Sequence, residues 1–172
     1  MLFRLLLICL LLAACASPLK TPQADGGGHS CSRRGPLPDP GCTPGAVDPA
    51  VSPASLAGTI CRAGYAASVR PAVDYTDALK RQQMAAYGES GRVSLYEEDH
   101  LVPLELGGDP RDPRNLWPEP RDVLLPGQGA ETKDRLENTL HAAVCSGRLG
   151  LDDAQRAIAG DWWAAYGRYV GS

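Results

Sequence analysis

Two glutamates, an aspartate and a histidine stand in a row at positions 97–100 of this chain. Near neutral pH a histidine can accept a proton from water, and a neighbouring carboxylate can hold a hard cation. Asp99-His100 therefore suits a metal-dependent catalytic site. A solvated surface turn would account equally well for the same residue types, so the surrounding sequence has to decide between the two interpretations.

The segment that follows predicts a compact β unit around these residues. Two short strands are expected, over 94–100 and 101–106, because β-branched and aromatic residues open the run and leucines close it. Gly107-Gly108 then predicts a turn. The stretch RDPRNLWPEP at 111–120 reads as an extended loop, since it holds three prolines.

Helices are expected on both sides of this unit. A helix over 129–146 is predicted because apolar residues recur at four-residue spacing and Gly147 follows the last of them; these residues are Leu136, Leu140 and Val144. Glu131 and Asp134 fall on the opposite side. Helices are also predicted from Pro53 to Gly64, over 78–87 after a Thr76 cap, and over 152–166.

The first fourteen residues have the pattern of an export signal. One arginine precedes about ten apolar residues and then small ones, and that run is too short for a permanent transmembrane helix. Cleavage before Cys15 would give a lipid-anchored envelope protein, with Cys15 as the lipidated N-terminus and residues 15–30 as a flexible tether. Cleavage after Ala16 would give a secreted protein instead. The lipoprotein is favoured because the cysteine directly follows the small residues.

Four cysteines remain beyond the tether, and an even number in an exported chain predicts two disulfides. Three connectivities are possible. We favour Cys31–Cys42 and Cys61–Cys145, a local clip and a long tie. A zinc site is the rival, but the sequence has no CxxC pair.

Length and charge limit the remaining possibilities. Residues 31–172 are enough for one domain with one core. The formal net charge of the chain is −3, and removing the signal takes away one more positive charge, that of Arg4. Surfaces that bind nucleic acids are usually basic, so the charge is an argument against such a surface.

The spacing of polar and turn residues after position 98 resembles the HNH nuclease family. Asp99-His100 is followed by Pro103-Leu104, by Gly107-Gly108 and by Asn115-Leu116. The resemblance implies a ββα-metal unit, a hairpin packed on a helix with a divalent metal between them. The expected fold class is thus α+β, a mostly helical, disulfide-stapled domain around a hairpin–helix core at 94–146.

The resemblance also implies roles for individual residues. His100 would be the general base that activates water, Asp99 a metal ligand, and Asn115 the residue that braces the loop. The family usually places a further histidine or asparagine on the helix, where this chain has none; Glu131 is expected in its place, with Asp134 as the next candidate. A carboxylate site would favour Mg²⁺ or Mn²⁺ over Zn²⁺.

Two functions follow from these expectations. The first is an endonuclease that hydrolyses phosphodiester bonds in DNA, or else RNA, with one divalent metal and with Arg114 and Lys133 on backbone phosphates. The second is a binding or structural lipoprotein that keeps the HNH scaffold without catalysis. A helix carboxylate aimed at Asp99 would favour the enzyme, whereas a lysine or an apolar face there would favour the scaffold.

Overall fold

The structure, a computed structural model, describes residues 30–171. The predicted signal peptide, the Cys15 lipidation site and all but the last residue of the predicted tether lie outside the described residues. Within residues 30–171, no helix is both long enough and apolar enough to cross a membrane.

The described chain is an α+β domain with four helices and one two-stranded antiparallel sheet. In chain order these elements are α1 (Tyr65–Val69), α2 (Val73–Ala86), β1 (Tyr96–His100), β2 (Leu116–Pro120), α3 (Ala130–Cys145) and α4 (Leu151–Tyr169). Short 3-10 turns lie at Leu56–Gly58, Val93–Leu95, Leu104–Leu106 and Pro113–Asn115. Helix α2 packs against both strands, and α3 packs against α4 and the turn at Leu104–Leu106.

The predicted second strand over 101–106 is wrong. β1 pairs instead with β2, with Asp99 opposite Trp117 and His100 opposite Leu116. The run 101–106 is apolar because it is buried, with Leu101 and Leu106 at most 1 % exposed, and it forms a bend and a 3-10 turn. β2 lies inside the stretch expected to be a loop, since each strand of a two-stranded sheet is an edge strand and tolerates proline.

The predicted helices are confirmed in part. Helix α3 has Gly129 and Ser146 as its flanking caps, and α4 extends from Leu151 to Tyr169 with a break at Asp161, whose φ and ψ are −160° and 89°. Helix α2 begins at Val73, three residues before the expected cap. The predicted helix from Pro53 to Gly64 is wrong: only a 3-10 turn forms, and Gly64 precedes α1 at a φ of +77°.

The core and the disulfides tie the helical part together. Leucines of the 101–106 turn and of α3 pack against Ile158 and Trp162 of α4, both 0 % exposed. Both favoured disulfides are confirmed: Cys31–Cys42 closes a local loop, and Cys61–Cys145 links the segment before α1 to the end of α3. Cysteine pairs of this kind are typical of proteins in oxidising compartments.

Asp122 closes the loop between β2 and α3. Its carboxylate accepts hydrogen bonds from the backbone N–H of Gly129 at 2.9 Å and of Thr132 at 3.1 Å, and from the Thr132 hydroxyl at 2.7 Å. A side chain at Gly129 would place its Cβ 2.3 Å from the Asp122 nitrogen, so only glycine fits there. The first turn of α3 is thereby capped from the far end of the loop.

Candidate functional site

A fully buried lysine of α3 faces Asp99. Lys133 Nζ donates to Asp99 Oδ2 at 2.7 Å and to the backbone carbonyl of His100 at 2.9 Å. It also contacts the carboxylate of Glu137, one turn further along the helix. The Lys133 side chain is 0 % exposed. The hairpin and the helix are therefore joined at Asp99 by an ammonium group.

A third carboxyl group comes from β2. Glu119 is 0 % exposed, and its Oε2 lies 3.7 Å from Lys133 Nζ. Neither Glu119 oxygen receives a hydrogen bond from an N–H or O–H group of residues 30–171. We call Asp99, Glu119, Lys133 and Glu137 the Lys133 cluster. It brings three carboxyl groups and one ammonium together in a largely buried space, in which the side chains of Asp99 and Glu137 stay 16 % and 12 % exposed.

The charges in the Lys133 cluster follow from burial and proximity. Burial alone would lower the pKa of Lys133, but Asp99, Glu137 and Glu119 outweigh it and raise the pKa well above its usual value. Burial also acts to raise the pKa of Asp99, yet the lysine charge and hydrogen bonds with Glu119 and Lys133 leave it lowered. The cluster therefore contains an ionised Lys133–Asp99 pair.

The other two carboxyl groups of the cluster, those of Glu119 and Glu137, both have raised pKa values. Burial raises the pKa of Glu119 well above the ordinary value, and the negative charge of Asp99 adds to that rise, although Lys133 opposes it. A protonated Glu119 can donate its hydrogen to Asp99, and this bond helps to hold the pKa of Asp99 down. Burial likewise raises the pKa of Glu137. One ammonium thus balances Asp99 without three buried negative charges having to coexist.

Asn115 holds the turn that follows β1. Its side-chain oxygen accepts from Val102 N at 2.9 Å, and its amide nitrogen donates to the carbonyls of Val102 and Asp109, each at 3.0 Å. Gly108 must be a glycine beneath this brace, because a Cβ there would lie 1.8 Å from Val102 O and 2.7 Å from the Asn115 amide nitrogen. This is the bracing position that the resemblance assigns to Asn115.

His100 is enclosed at the end of β1. It is 4 % exposed, and its Nε2 lies 3.1 Å from the carbonyl oxygen of Pro110. A carbonyl only accepts, so Nε2 carries a hydrogen and Nδ1 is the ring nitrogen that could take up a proton. Burial lowers the pKa of His100, while Asp99 opposes that shift. His100 is therefore a neutral imidazole at neutral pH, held by the backbone of the bracing loop.

Neither of the two expected helix carboxylates is among the partners of Lys133 in the Lys133 cluster. Glu131 is turned toward the loop, where its oxygens accept from Asp122 N at 2.6 Å and from Arg121 Nη1 at 3.1 Å. Asp134 is exposed on α3. Partial burial and then the negative charge of Asp99 raise the pKa of Asp134.

The residues present do not fit the divalent metal that the resemblance implies. Both Asp99 oxygens are engaged, Oδ2 by Lys133 and Oδ1 by the backbone N–H of His100 at 2.8 Å. A second cation would have to displace or approach an ammonium. Among residues 30–171, no group of three His, Cys, Asp or Glu side chains is arranged to hold a metal ion.

The two residues expected to contact backbone phosphates, Lys133 and Arg114, differ in exposure. Lys133 cannot reach a phosphate because its side chain is fully buried, so that expectation is corrected. The Arg114 side chain is 69 % exposed and pairs with Asp112 at 2.6 Å. Its role toward a phosphate stays a prediction.

Sequence reasoning missed Glu119, and it missed Glu137 as a member of the cluster. A signal for the lysine was present, however. Lys133 stands three positions before Leu136 and seven before Leu140, so it lies on the apolar stripe of α3 rather than on its polar face. A lysine on such a stripe indicates a buried partner of opposite charge. Glu119 gave no comparable signal, because β2 was taken for a loop.

Comparison with known proteins adds no family to this geometry: no family model, no curated protein and no solved structure matches the chain.

Proposed function

We propose that this chain is an exported, non-catalytic domain with an HNH-like scaffold, and that its role is structural or in binding. The observation that carries the proposal is the contact between Lys133 Nζ and Asp99 Oδ2 at 2.7 Å. The ammonium lies between hairpin and helix, where the resemblance leads us to expect a metal. It stabilises the hairpin–helix contact as a permanent, covalently attached cation.

An ammonium could not replace a metal in phosphodiester hydrolysis. A divalent metal stabilises charge on the phosphate and lowers the pKa of a bound water. A buried lysine that is already saturated by carboxyl groups and a carbonyl has no open position for either task. Because His100 is also buried and bonded to Pro110, neither the predicted base nor the predicted ligand faces solvent freely.

The export part of the proposal rests on two independent features. The N-terminal pattern predicts a signal peptide, with Cys15 as the lipidation site or with release after Ala16. The two disulfides suit an oxidising compartment. A lipid on Cys15 would attach the domain to a membrane surface, which suits a protein that presents a stable surface to a partner in the cell envelope.

The proposal is tested with the oxidised domain, residues 31–172, and supercoiled plasmid or RNA in Mg²⁺, Mn²⁺, Zn²⁺ or EDTA. Calorimetric titration with Mn²⁺ in the same buffer measures metal binding directly. We expect no cleavage and no Mn²⁺ binding in a protein whose near-ultraviolet circular dichroism shows it folded. Metal-dependent cleavage that His100→Ala abolishes would refute the proposal.

A metal-dependent nuclease that cuts DNA, or else RNA, is the second candidate. Its support is the bracing of the β1 turn by Asn115 directly beside Asp99 and His100, as the resemblance leads us to expect. It requires Lys133 to leave Asp99. The Mn²⁺ titration distinguishes the candidates without an activity assay, and Asp99→Asn is the control that should remove any binding that does occur.

A further inference from the structure

Trp163 is the one exposed aromatic side chain of residues 30–171, with 37 % of its surface open to solvent. The other two tryptophans, Trp117 and Trp162, are both 0 % exposed. Its neighbours on the outer face of α4 are Gly160 and Gly167, where an added Cβ would meet no atom within 4 Å. The indole therefore lies at the surface of α4 with no side chain from these two positions over it.

Two neighbouring side chains orient the indole. Its ring stacks on that of Tyr166, with the centroids 5.6 Å apart and 13° between the planes. Arg135 of α3 lies over the Tyr166 ring at 5.4 Å and donates through Nε to the Tyr166 hydroxyl at 3.1 Å. We call Arg135, Trp163 and Tyr166 the Trp163 patch. These residue types are enriched both at membrane interfaces and at protein–protein interfaces, so the position of the patch has to decide between them.

The N-terminal arm of the domain passes next to the Trp163 patch. Trp162, whose ring contacts that of Trp163, donates through Nε1 to the carbonyl of Pro36 at 3.0 Å. Pro36 follows Cys31 by five residues, which span at most about 18 Å when extended. The predicted lipid site, Cys15, precedes Cys31 by sixteen residues, which span at most about 58 Å. The predicted anchor therefore joins the domain near the patch and keeps it within reach of the membrane.

The charge of Arg135 is not used in an ion pair. Within residues 30–171, neither Asp134 beside it nor Glu131 one turn before it forms a salt bridge with Arg135; Glu131 pairs with Arg121 instead, at 3.1 Å. Basic side chains near a membrane surface are attracted to anionic lipids. The guanidinium of Arg135 is therefore available to lipid phosphates at the edge of the aromatic pair.

We propose that the Trp163 patch docks on the surface of the membrane to which Cys15 is anchored, an inference that rests on the lipid anchor in the proposed function. Trp163 places its indole in the headgroup region, while the polar ends of Tyr166 and Arg135 stay at its aqueous boundary. One indole binds weakly by itself, but the anchor makes docking an intramolecular step at high effective concentration. Docking fixes which face of the domain the membrane covers and which face stays open to a partner.

The test uses Trp163 as its own reporter, since the other two tryptophans are buried. The mature chain from Cys15 onward is oxidised, so that its other four cysteines are paired. A maleimide lipid then couples Cys15 to vesicles of phosphatidylethanolamine and phosphatidylglycerol with brominated acyl chains, which quench an indole in the headgroup region. We expect the wild type to be quenched, and Trp163→Phe to give the background from the two buried tryptophans.

Arg135→Gln tests the cation of the patch, and Arg148→Gln is its matched control. Arg148 is exposed in the loop between α3 and α4, at the other end of the helix pair from the contact between Arg135 and Tyr166. We expect Arg135→Gln to lower the ratio of docked to undocked domains about fivefold, the effect of one basic residue near an anionic surface. Arg148→Gln should leave this ratio unchanged. Near-ultraviolet circular dichroism checks that each variant is folded.

Three results would overturn the inference. In the first, brominated chains quench the wild type no more than Trp163→Phe. In the second, Arg148→Gln weakens docking as much as Arg135→Gln, so that net charge alone holds the domain at the surface. In the third, raised protein concentration or cell-wall polysaccharide protects Trp163 from acrylamide and vesicles do not, so that the patch binds a second copy or a glycan.

Failure of this inference can be told apart from failure of the proposed function. Chemical coupling makes the docking result independent of whether the cell acylates Cys15, and mass spectrometry of protein extracted from membranes tests the acylation itself. An acylated, non-catalytic protein that does not dock would overturn the inference and leave the proposed function standing. A Cys15 that carries no lipid would remove the anchor from the proposed function, and this inference with it.

Discussion

The β1–β2 sheet has a buried lysine on each side, and the two are satisfied in opposite ways. On the α3 side, Lys133 meets the carboxyl groups of Asp99 and Glu137 and a backbone carbonyl, and its pKa is raised. On the α2 side, Lys80 donates to the carbonyl of Tyr96, and burial lowers its pKa despite the nearby charge of Glu98. Both oxygens of Glu98 are buried without a hydrogen-bond partner within residues 30–171.

The comparison indicates that an ionised pair stabilises the contact of α3 with the sheet, whereas the contact of α2 with the sheet has no such pair. Removing one partner of a buried ion pair strongly lowers the free energy of unfolding, because the remaining charge stays buried without a counter-charge. Replacing a lysine that makes one backbone hydrogen bond and belongs to no ion pair lowers the free energy of unfolding far less. We therefore expect α3 to be held to the sheet by electrostatics, and α2 by packing.

The largest expected difference is between two equivalent substitutions. Lys133→Met should lower the free energy of unfolding by about 3–5 kcal/mol, because it leaves Asp99 buried without a cation. Lys80→Met should lower it by about 1 kcal/mol, the value of one backbone hydrogen bond. Urea denaturation of both variants measures the two values. Equal losses of unfolding free energy would show that the two lysines contribute equally to stability.

A second measurement isolates the ion pairs themselves. A double-mutant cycle of Asp99→Asn with Lys133→Met should give a coupling free energy of about 2 kcal/mol, within the range for groups in one network. The corresponding cycle of Glu98→Gln with Lys80→Met should give less than about 0.5 kcal/mol. A larger coupling on the α2 side would mean that Glu98 and Lys80 form an ion pair in solution.

The smallest effect is a pH dependence on the α2 side. Burial raises the pKa of Glu98 to about 8, with Lys80 opposing and Asp99 adding to the shift. The folded state thus keeps a proton that the unfolded chain releases near its ordinary pKa of 4.5. This contribution to stability is fully present below that unfolded pKa and is lost as the pH rises through about 8.

Glu98→Gln removes that titration and is the variant that tests it. The wild type should lose stability relative to Glu98→Gln between pH 5 and pH 9, by about 1 kcal/mol after allowance for water reaching the group. Denaturation midpoints at five pH values give the two curves. Parallel curves would show that Glu98 ionises in the folded state as it does in the unfolded chain.

The sequence was sufficient for elements whose pattern matches their environment. Helix α3 was predicted within a residue at each end, because Leu136, Leu140 and Val144 recur on its buried face. The second strand was misplaced for a physical reason: the 101–106 run is apolar since it is buried in a turn, and β2 carries Pro118 and Pro120, which usually argue against a strand.

Of the candidate site, the sequence predicted β1 and the Asn115 brace but not the strand that pairs with β1. The contacts of Asn115 with Val102 match the expected brace, since a short polar motif depends on local chain geometry. The groups around Asp99 were harder to predict, because they depend on which residue of α3 points toward the sheet. Lysine is rarely buried, so Lys133 was expected at the surface, and Glu119 could not be placed before its strand was identified.

The Asp122 cap has a practical consequence for labelling this protein. Because Asp122 bonds to Gly129 and Thr132, the ends of the 123–128 loop are fixed whatever the loop itself contains. Val123 is 71 % exposed and Leu124 is 38 % exposed, and exposed loop tips are where insertions are best tolerated. A short epitope or a reporter inserted after Leu125 would thus lie in a loop whose two ends Asp122 holds together.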